Sequence, residues 1–219
     1  EAMSMIKTAD ALAVVLRNFE DEGISEVLGK PDPAGDLEEI KGELILSDLI
    51  LAEKRLERIK EDLKRGKKVP GGQAEEKLMT RIVESLNEDK PVRDLEFTPD
   101  EQKMLSSFQF LTSKQIMVIV NSDEGSYGSS PDLLAQIGSQ YPAIEFAGKF
   151  EMELSGLDKE DADVFMEDMG ITESARSRLT TFVYDMLGYI SFFTVGEDEV
   201  RAWTVRKNAS AVDAAGAIH

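Results

Sequence analysis

No cysteine occurs in the 219 residues, which excludes disulfides, thiolate zinc sites and a cysteine nucleophile. Histidine is nearly as scarce. The only one is His219, the last residue, so a histidine triad or histidine metal cluster within the fold is excluded too. Basic residues are outnumbered, Lys+Arg 25 against Asp+Glu 43, for a net charge of −18. That balance argues against nucleic-acid binding across the whole surface, which needs cations to release counterions, while a local basic patch stays allowed. No apolar run approaches the roughly 18 residues of a membrane span. Residues 1–10 mix Glu1, Lys7 and Asp10 with Met3, Met5 and Ile6, without the basic start and unbroken apolar stretch of a signal peptide. A cytoplasmic protein with no membrane partner is the expectation. Glu1 opens directly into an amphipathic segment and residues 214–219 have no tail character, so a piece of a longer protein is expected. The remaining composition, 42% hydrophobic and 31% charged, is that of an ordinary globular chain of one or two domains.

Three apolar runs read as buried strands. Ala11 to Leu16 is continuous and rich in valine, the pattern of a strand covered on both faces. Residues 116–120 (IMVIV) form a second, ending at the polar turn Asn121-Ser122-Asp123-Glu124-Gly125, and residues 143–147 (AIEFA) a third, weaker one. Helices are expected at about 131–140, with Pro131 in a first turn, at 158–169, and at 173–188, where Thr172 and Glu173 suit the start. Strands alternating with helices predict an α/β fold with a parallel sheet.

Residues 36–90 follow another period. Ile45, Leu49, Ala52, Leu56, Ile59 and Leu63 are spaced 4, 3, 4, 3 and 4, an a/d seam that Asp36 could cap. The sequence GKKVPGG (residues 66–72) breaks it, and Met79, Ile82, Val83 and Leu86 continue on a second helix before Pro91. This predicts an antiparallel helical hairpin, inserted between two sheet strands and protruding. Lys54, Arg55, Arg58, Lys60, Lys64, Arg65, Lys67 and Lys68 face only Glu57, Glu61 and Asp62 on its outer side. That excess describes either a solvated helix or a basic finger for RNA. Residues 190–195 and 200–205 predict a β-hairpin opening a separate small unit, with Trp203 as its anchor. Asp158, Glu160 and Asp161 read as solvated surface, since no second motif converges on them.

A ligand on a parallel sheet sits beyond the carboxyl ends of its strands. Two loops leave such ends, Asn121-Ser122-Asp123-Glu124 and Ala147-Gly148-Lys149. An asparagine amide both donates and accepts, and a carboxylate three residues on accepts only, so together they suit the edge of a purine. Backbone N–H groups of a small-residue loop approach a base closely, and Lys149 can lay its stem on an aromatic ring. Taken alone, the same tetrapeptide equally describes a surface turn in which Asn121 caps its own backbone.

The full order is buried strand, charged helical hairpin, buried strand ending in N-x-x-E, helix, strand ending in A-G-K, helix, then FFTVGEDEVRAWTVRK (192–207) and DAAGAIH (213–219). With DALAVVLRNFED (10–21) and GELILSDLILAEKRLERI (42–59), it resembles the YchF / Obg-like ATPase family of P-loop NTPases over nearly the whole chain. The resemblance implies a partial Ras-like G-domain, an inserted antiparallel α-helical coiled coil and the start of a β-grasp TGS domain. The expected boundaries are 1–35 and 93–190 for the G-domain, 36–92 for the arm and 191–219 for the TGS unit. It further implies binding and hydrolysis of ATP or GTP with Mg²⁺ in the intact protein, by attack of water on the γ-phosphate, and association with ribosomes.

In that resemblance Asn121 and Glu124 match the base motif, N-x-x-E here and N-K-x-D in most GTPases. Guanine offers two adjacent donors that one Asp can take together, whereas adenine offers one donor and one acceptor on that edge. Ser122 stands where the GTPases have lysine and would meet the base through its backbone. Ala147, Gly148 and Lys149 match the S-A-K loop, with Ala147 lacking the serine hydroxyl. G-x-x-x-x-G-K-[ST] is absent, and with it the phosphate cradle, its lysine and the Mg²⁺-holding hydroxyl. No catalytic residue and no metal ligand is assigned, and the chain as it stands is expected not to hydrolyse ATP. An alternative from another class is a ribosome- or RNA-binding module that uses the arm and TGS unit without nucleotide chemistry. A third is an interaction domain unrelated to nucleotides.

Overall fold

The computed structural model describes residues 2–66, 71–168, 170–196 and 198–218. Lys67, Lys68 and His219, singled out above, lie outside the described residues. In chain order the elements are α1 (Ala2–Thr8), β1 (Ala11–Asn18), α2 (Glu22–Leu28), α3 (Pro33–Lys64), α4 (Gly72–Asn87), a 3-10 turn (Val92–Asp94), α5 (Pro99–Leu105), β2 (Gln115–Ser122), α6 (Pro131–Gly138), β3 (Ala143–Ala147), α7 (Gly148–Leu154), α8 (Lys159–Asp168), α9 (Ala175–Leu187), β4 (Tyr189–Val195), β5 (Val200–Arg206) and α10 (Ala211–Gly216). One sheet has the order β1-β2-β3 and the other pairs β4 with β5. The chain divides into two compact units, residues 1–16 with 32–117 and residues 17–31 with 118–219, with the boundary inside β1 and β2.

The three apolar runs form strands where the sequence places them, but they are not buried alike. β2 is the middle strand, and residues 116–120 are all buried. β1 lies at an edge and is covered on one face only. Val14 and Leu16 are buried, while Val15 is 61% exposed. Two-face burial of Ala11 to Leu16 is therefore corrected: an unbroken apolar run records hydrophobicity but not how many faces are covered.

In the first unit the predicted hairpin is α3 and α4. Ile45, Ala52, Leu56 and Ile59 pack against Leu78, Met79, Ile82 and Leu86, with Leu49, Leu63 and Val83 at the margin. The same core takes in Val92 and Phe110, flanked by Phe97, Met104, Leu105 and Phe108, so the chain after the hairpin folds back onto it. The cap is Asp32, not Asp36. The Asp32 side chain accepts from the Gly35 N–H at 3.1 Å and Pro33 opens the helix. Asp36 sits inside the first turn, where its charge meets the positive end of the helix dipole without closing it. Across the hairpin Arg55 donates twice to Glu75, at 2.7 and 2.9 Å. Deeper, the Asp48 carboxylate is 1% exposed and accepts from the Leu111 N–H, the Thr112 N–H and the Thr112 hydroxyl. It thereby stitches α3 to the segment that leads into β2.

In the second unit β2 and β3 run parallel, with Val118 opposite Ala143 and Ser122 opposite Ala147. Pro131 occupies the first turn of α6, as expected. The last long helix begins later than Thr172 and Glu173. Its cap is Ser174, whose hydroxyl accepts from the Ser177 N–H, and Glu151 of α7 accepts from the Ala175 N–H at 2.7 Å. Two partners for the orphan N–H groups fix the start there rather than two residues earlier. α9 ends at Gly188 (φ +65), and β4 and β5 follow as an antiparallel hairpin that sets Phe192 opposite Trp203. The Trp203 indole N–H donates to the Thr194 hydroxyl, and Arg201 lies 4.3 Å from its ring centroid.

Candidate nucleotide-base site

Parallel register brings the ends of β2 and β3 side by side, so the turns that leave them start as neighbours: Asn121 faces Phe146 and Ser122 faces Ala147. One bond ties the turns together. The Asn121 Oδ1 accepts from the Gly148 N–H at 3.0 Å. A Cβ on Gly148 would lie 2.7 Å from that oxygen, so a side chain there would require the Asn121 amide to shift. With Oδ1 held by an N–H, the amide nitrogen of half-buried Asn121 is the end left to donate outward.

Glu124, in the turn after β2, and Lys149, at the start of α7, are both exposed. Ala147 is buried at the foot of α7. Ser122 points the other way. It is 2% exposed, its hydroxyl donates to Glu145 Oε1 at 2.6 Å and accepts from the Asn18 amide at 2.9 Å, and only its backbone remains for the turn.

Behind the turns lies a set of residues that the sequence reading passes over. Glu145 is 6% exposed and spends its second oxygen on the Gly128 N–H, at 3.1 Å. Arg178, from α9, donates to the Tyr127 hydroxyl at 2.8 Å and to the Glu145 carbonyl, with its guanidinium 5.5 Å from the Phe146 ring centroid. Tyr127 packs on Ala147, Phe150 and Leu154. A signal for Glu145 exists: a carboxylate inside AIEFA is rarely buried without partners. Nothing local points to Arg178, which is 33 residues farther along the chain.

Chemically, the two turns offer an outward amide donor, an exposed carboxylate acceptor and an exposed ammonium on a long apolar stem. Such groups can hydrogen-bond to the edge of a flat polar ring and cover its face. Among the described residues no group of three or more His, Asp or Glu side chains could hold a metal ion. A cleft of about 660 Å³ opens elsewhere, between Leu187, Gly188, Val205 and Arg206, and shares no residue with the two turns. No described helix is long and apolar enough to cross a membrane.

The family model YchF-GTPase_C, "Protein of unknown function (DUF933)", matches residues 189–219. Along the chain, the Ribosome-binding ATPase YchF of Bacillus subtilis is 37% identical over 224 residues, 99% of this chain and 61% of that protein. Obg-like ATPase 1 of Saccharomyces cerevisiae is 33% identical, over 99% of this chain and 58% of that protein. The solved structure of the Schizosaccharomyces pombe YchF GTPase superposes with a TM-score of 0.83 at 29% identity, covering 99% of this chain and 60% of that one. The chain thus spans about 60% of the length of the relatives it matches. Similarity of this extent in sequence and in backbone establishes that the chain belongs to the YchF / Obg-like ATPase family.

Proposed function

We propose that this chain carries the base-reading half of a purine-nucleotide site, in a protein that binds and hydrolyses ATP or GTP when whole. The observation that carries the reading is the 3.0 Å bond between Asn121 and Gly148. It leaves the Asn121 amide nitrogen to donate to a ring nitrogen of the purine. Glu124 accepts from the exocyclic amine of adenine, and the Lys149 stem covers a face of the ring. Ser122 and Ala147 contribute through backbone, since both side chains are buried. The residues present fit the base of the nucleotide. They include neither the glycine-rich phosphate loop nor a set of Mg²⁺ ligands, so this chain binds and orients, and phosphoryl transfer draws on groups outside it. Bound Mg²⁺ would supply charge neutralisation at the phosphates. The partial G-domain, coiled-coil arm and start of a TGS unit belong to the same reading, which is supported by the strand order and the family match at 189–219.

Ligand-observed NMR of the 219-residue chain with adenosine tests this. Saturation transfer to the base protons is expected and should disappear when Asn121→Ala and Glu124→Ala are combined. No transfer to the unsubstituted chain, or equal transfer to both proteins, overturns the reading.

A second reading, contact with the ribosome through the arm, is favoured by two observations: relatives carry the name Ribosome-binding ATPase, and Lys54, Arg58, Lys60 and Lys64 of α3 are exposed. The structure thins the basic excess, because Arg55 is engaged by Glu75 and Arg65 by Glu61.

A further inference from the structure

We infer that Glu145 is a positioning residue for base recognition: from beneath the sheet end it fixes the loop that presents Glu124. The inference rests on the base-reading site proposed above. Glu124 sits at the tip of the segment between Ser122 and Gly128, and both ends of that segment are fastened to one buried carboxylate. Glu145 Oε1 takes the Ser122 hydroxyl at 2.6 Å and Oε2 takes the Gly128 N–H at 3.1 Å.

The fastening is satisfied on every side. Ser122 is held from behind by Asn18, which also reaches the Ser130 hydroxyl at 3.4 Å. Inside the loop Asp123 accepts from the Ser126 N–H, and its carbonyl accepts from the Tyr127 N–H, so the turn is closed locally as well. Gly128 has φ +76, which lets the backbone aim its N–H at the carboxylate. Arg178 fixes the Glu145 strand and the Tyr127 ring together. A carboxylate buried this deeply without an ion pair is costly unless its bonds are complete, so the arrangement is rigid rather than adaptable. Rigidity is what discrimination between bases needs. Adenine and guanine differ in where one edge donates and accepts, and a carboxylate that wanders serves both.

The test is titration of the isotope-labelled 219-residue chain with adenosine and with guanosine, followed by backbone amide NMR and hydrogen exchange. Glu145→Ala is expected to free the Gly128 amide to exchange, to weaken adenosine binding about tenfold and to narrow its preference over guanosine. Glu145→Gln keeps the length and an acceptor for the Gly128 N–H but not one for the Ser122 hydroxyl proton, and should restore part of the preference. Glu145→Asp, one methylene shorter, should not. Should Glu145→Ala fail to fold, Ser122→Ala removes one fastening alone and is expected to shift the same readouts. A role confined to stability would lower the unfolding temperature and leave the adenosine-to-guanosine ratio in place. An unchanged ratio with a freely exchanging Gly128 amide overturns the inference and leaves the base site standing. Failure of the unsubstituted chain to bind adenosine overturns the base site and the inference with it.

Discussion

At the scale of single residues the site depends on one close approach between the ends of β2 and β3. The Gly148 N–H donates to the Asn121 Oδ1 at 3.0 Å, and a methyl on its α-carbon would lie 2.7 Å from that oxygen. The crowded atom is the end of the half-exposed Asn121 side chain, so the bond between the two segments rests on that amide. Asn121→Ala, which removes the acceptor, is therefore expected to destabilise the chain by about 1 kcal/mol, the cost of a lost part-buried bond, and to weaken adenosine binding. Urea unfolding with ligand-observed NMR reads both, and unchanged stability with unchanged binding contradicts the geometry. The order of residues makes this pair visible, because Asn121 ends one apolar strand and Gly148 follows another, and both are reached by resemblance. Glu145 shows only as a carboxylate inside AIEFA, and its partners, like those of Asn18 and Arg178, stay out of sight for a physical reason. Those partners are 23, 104 and 51 residues away in the chain, and hydrogen bonds of that span leave no period or spacing to read.

Elements are legible where burial repeats. The α3 seam from Ile45 to Leu63 is written in steps of three and four, and the side chains that pack against α4 follow those steps. Helix ends are less legible, since Asp32 and Asp36 both suit a cap by residue type. Proline at the next position breaks the tie, being suited to the first turn of a helix. Asp32→Ala should cost about 1 kcal/mol of unfolding free energy, while Asp36→Ala, which removes only a charge near the helix start, should cost about half that or less. The reverse order in a denaturation series would return the cap to Asp36.

Asp48 offers a second test at this scale. Burial raises its carboxyl above the ordinary aspartate value, against the lowering effect of its bonds to Thr112 and Leu111. The folded state thus holds the proton more tightly than the unfolded chain. The contribution of Asp48 to stability grows as pH falls through the raised value toward the ordinary one, and is smallest above it. Asp48→Asn cannot accept from all three donors and is expected to lose about 1–3 kcal/mol at neutral pH. The gap between the two proteins should widen on acidification. A gap that closes instead would show that the bonds outweigh the burial.

For the molecule as a whole, charge decides what can be asked of the arm. A net charge of −18 repels polyanions, so docking on ribosomal RNA requires cations that are locally unpaired and grouped. The sequence of residues 54–68 offers eight. Geometry reduces that number: Arg55 is spent inside the hairpin on Glu75, beside Phe108, and Arg65 shares Glu61 in an exposed pair of little energetic weight. Lys54, Arg58, Lys60 and Lys64 remain as surface cations of the described helix, interleaved with Glu53 and Glu57. If these four meet phosphates, changing all of them to Glu should weaken co-sedimentation with ribosomes, and most at low salt. Removing one cation–phosphate pair should flatten the dependence of log affinity on log salt by about 0.7–0.9. A slope that stays the same across the fourfold variant means the arm does not touch the ribosome. Binding that then fails to respond to salt at all would shift attention to the exposed apolar side chains of the β4–β5 hairpin, Phe193, Val195 and Val200. The distinction is physical rather than semantic, because phosphate pairing weakens with salt whereas apolar burial does not.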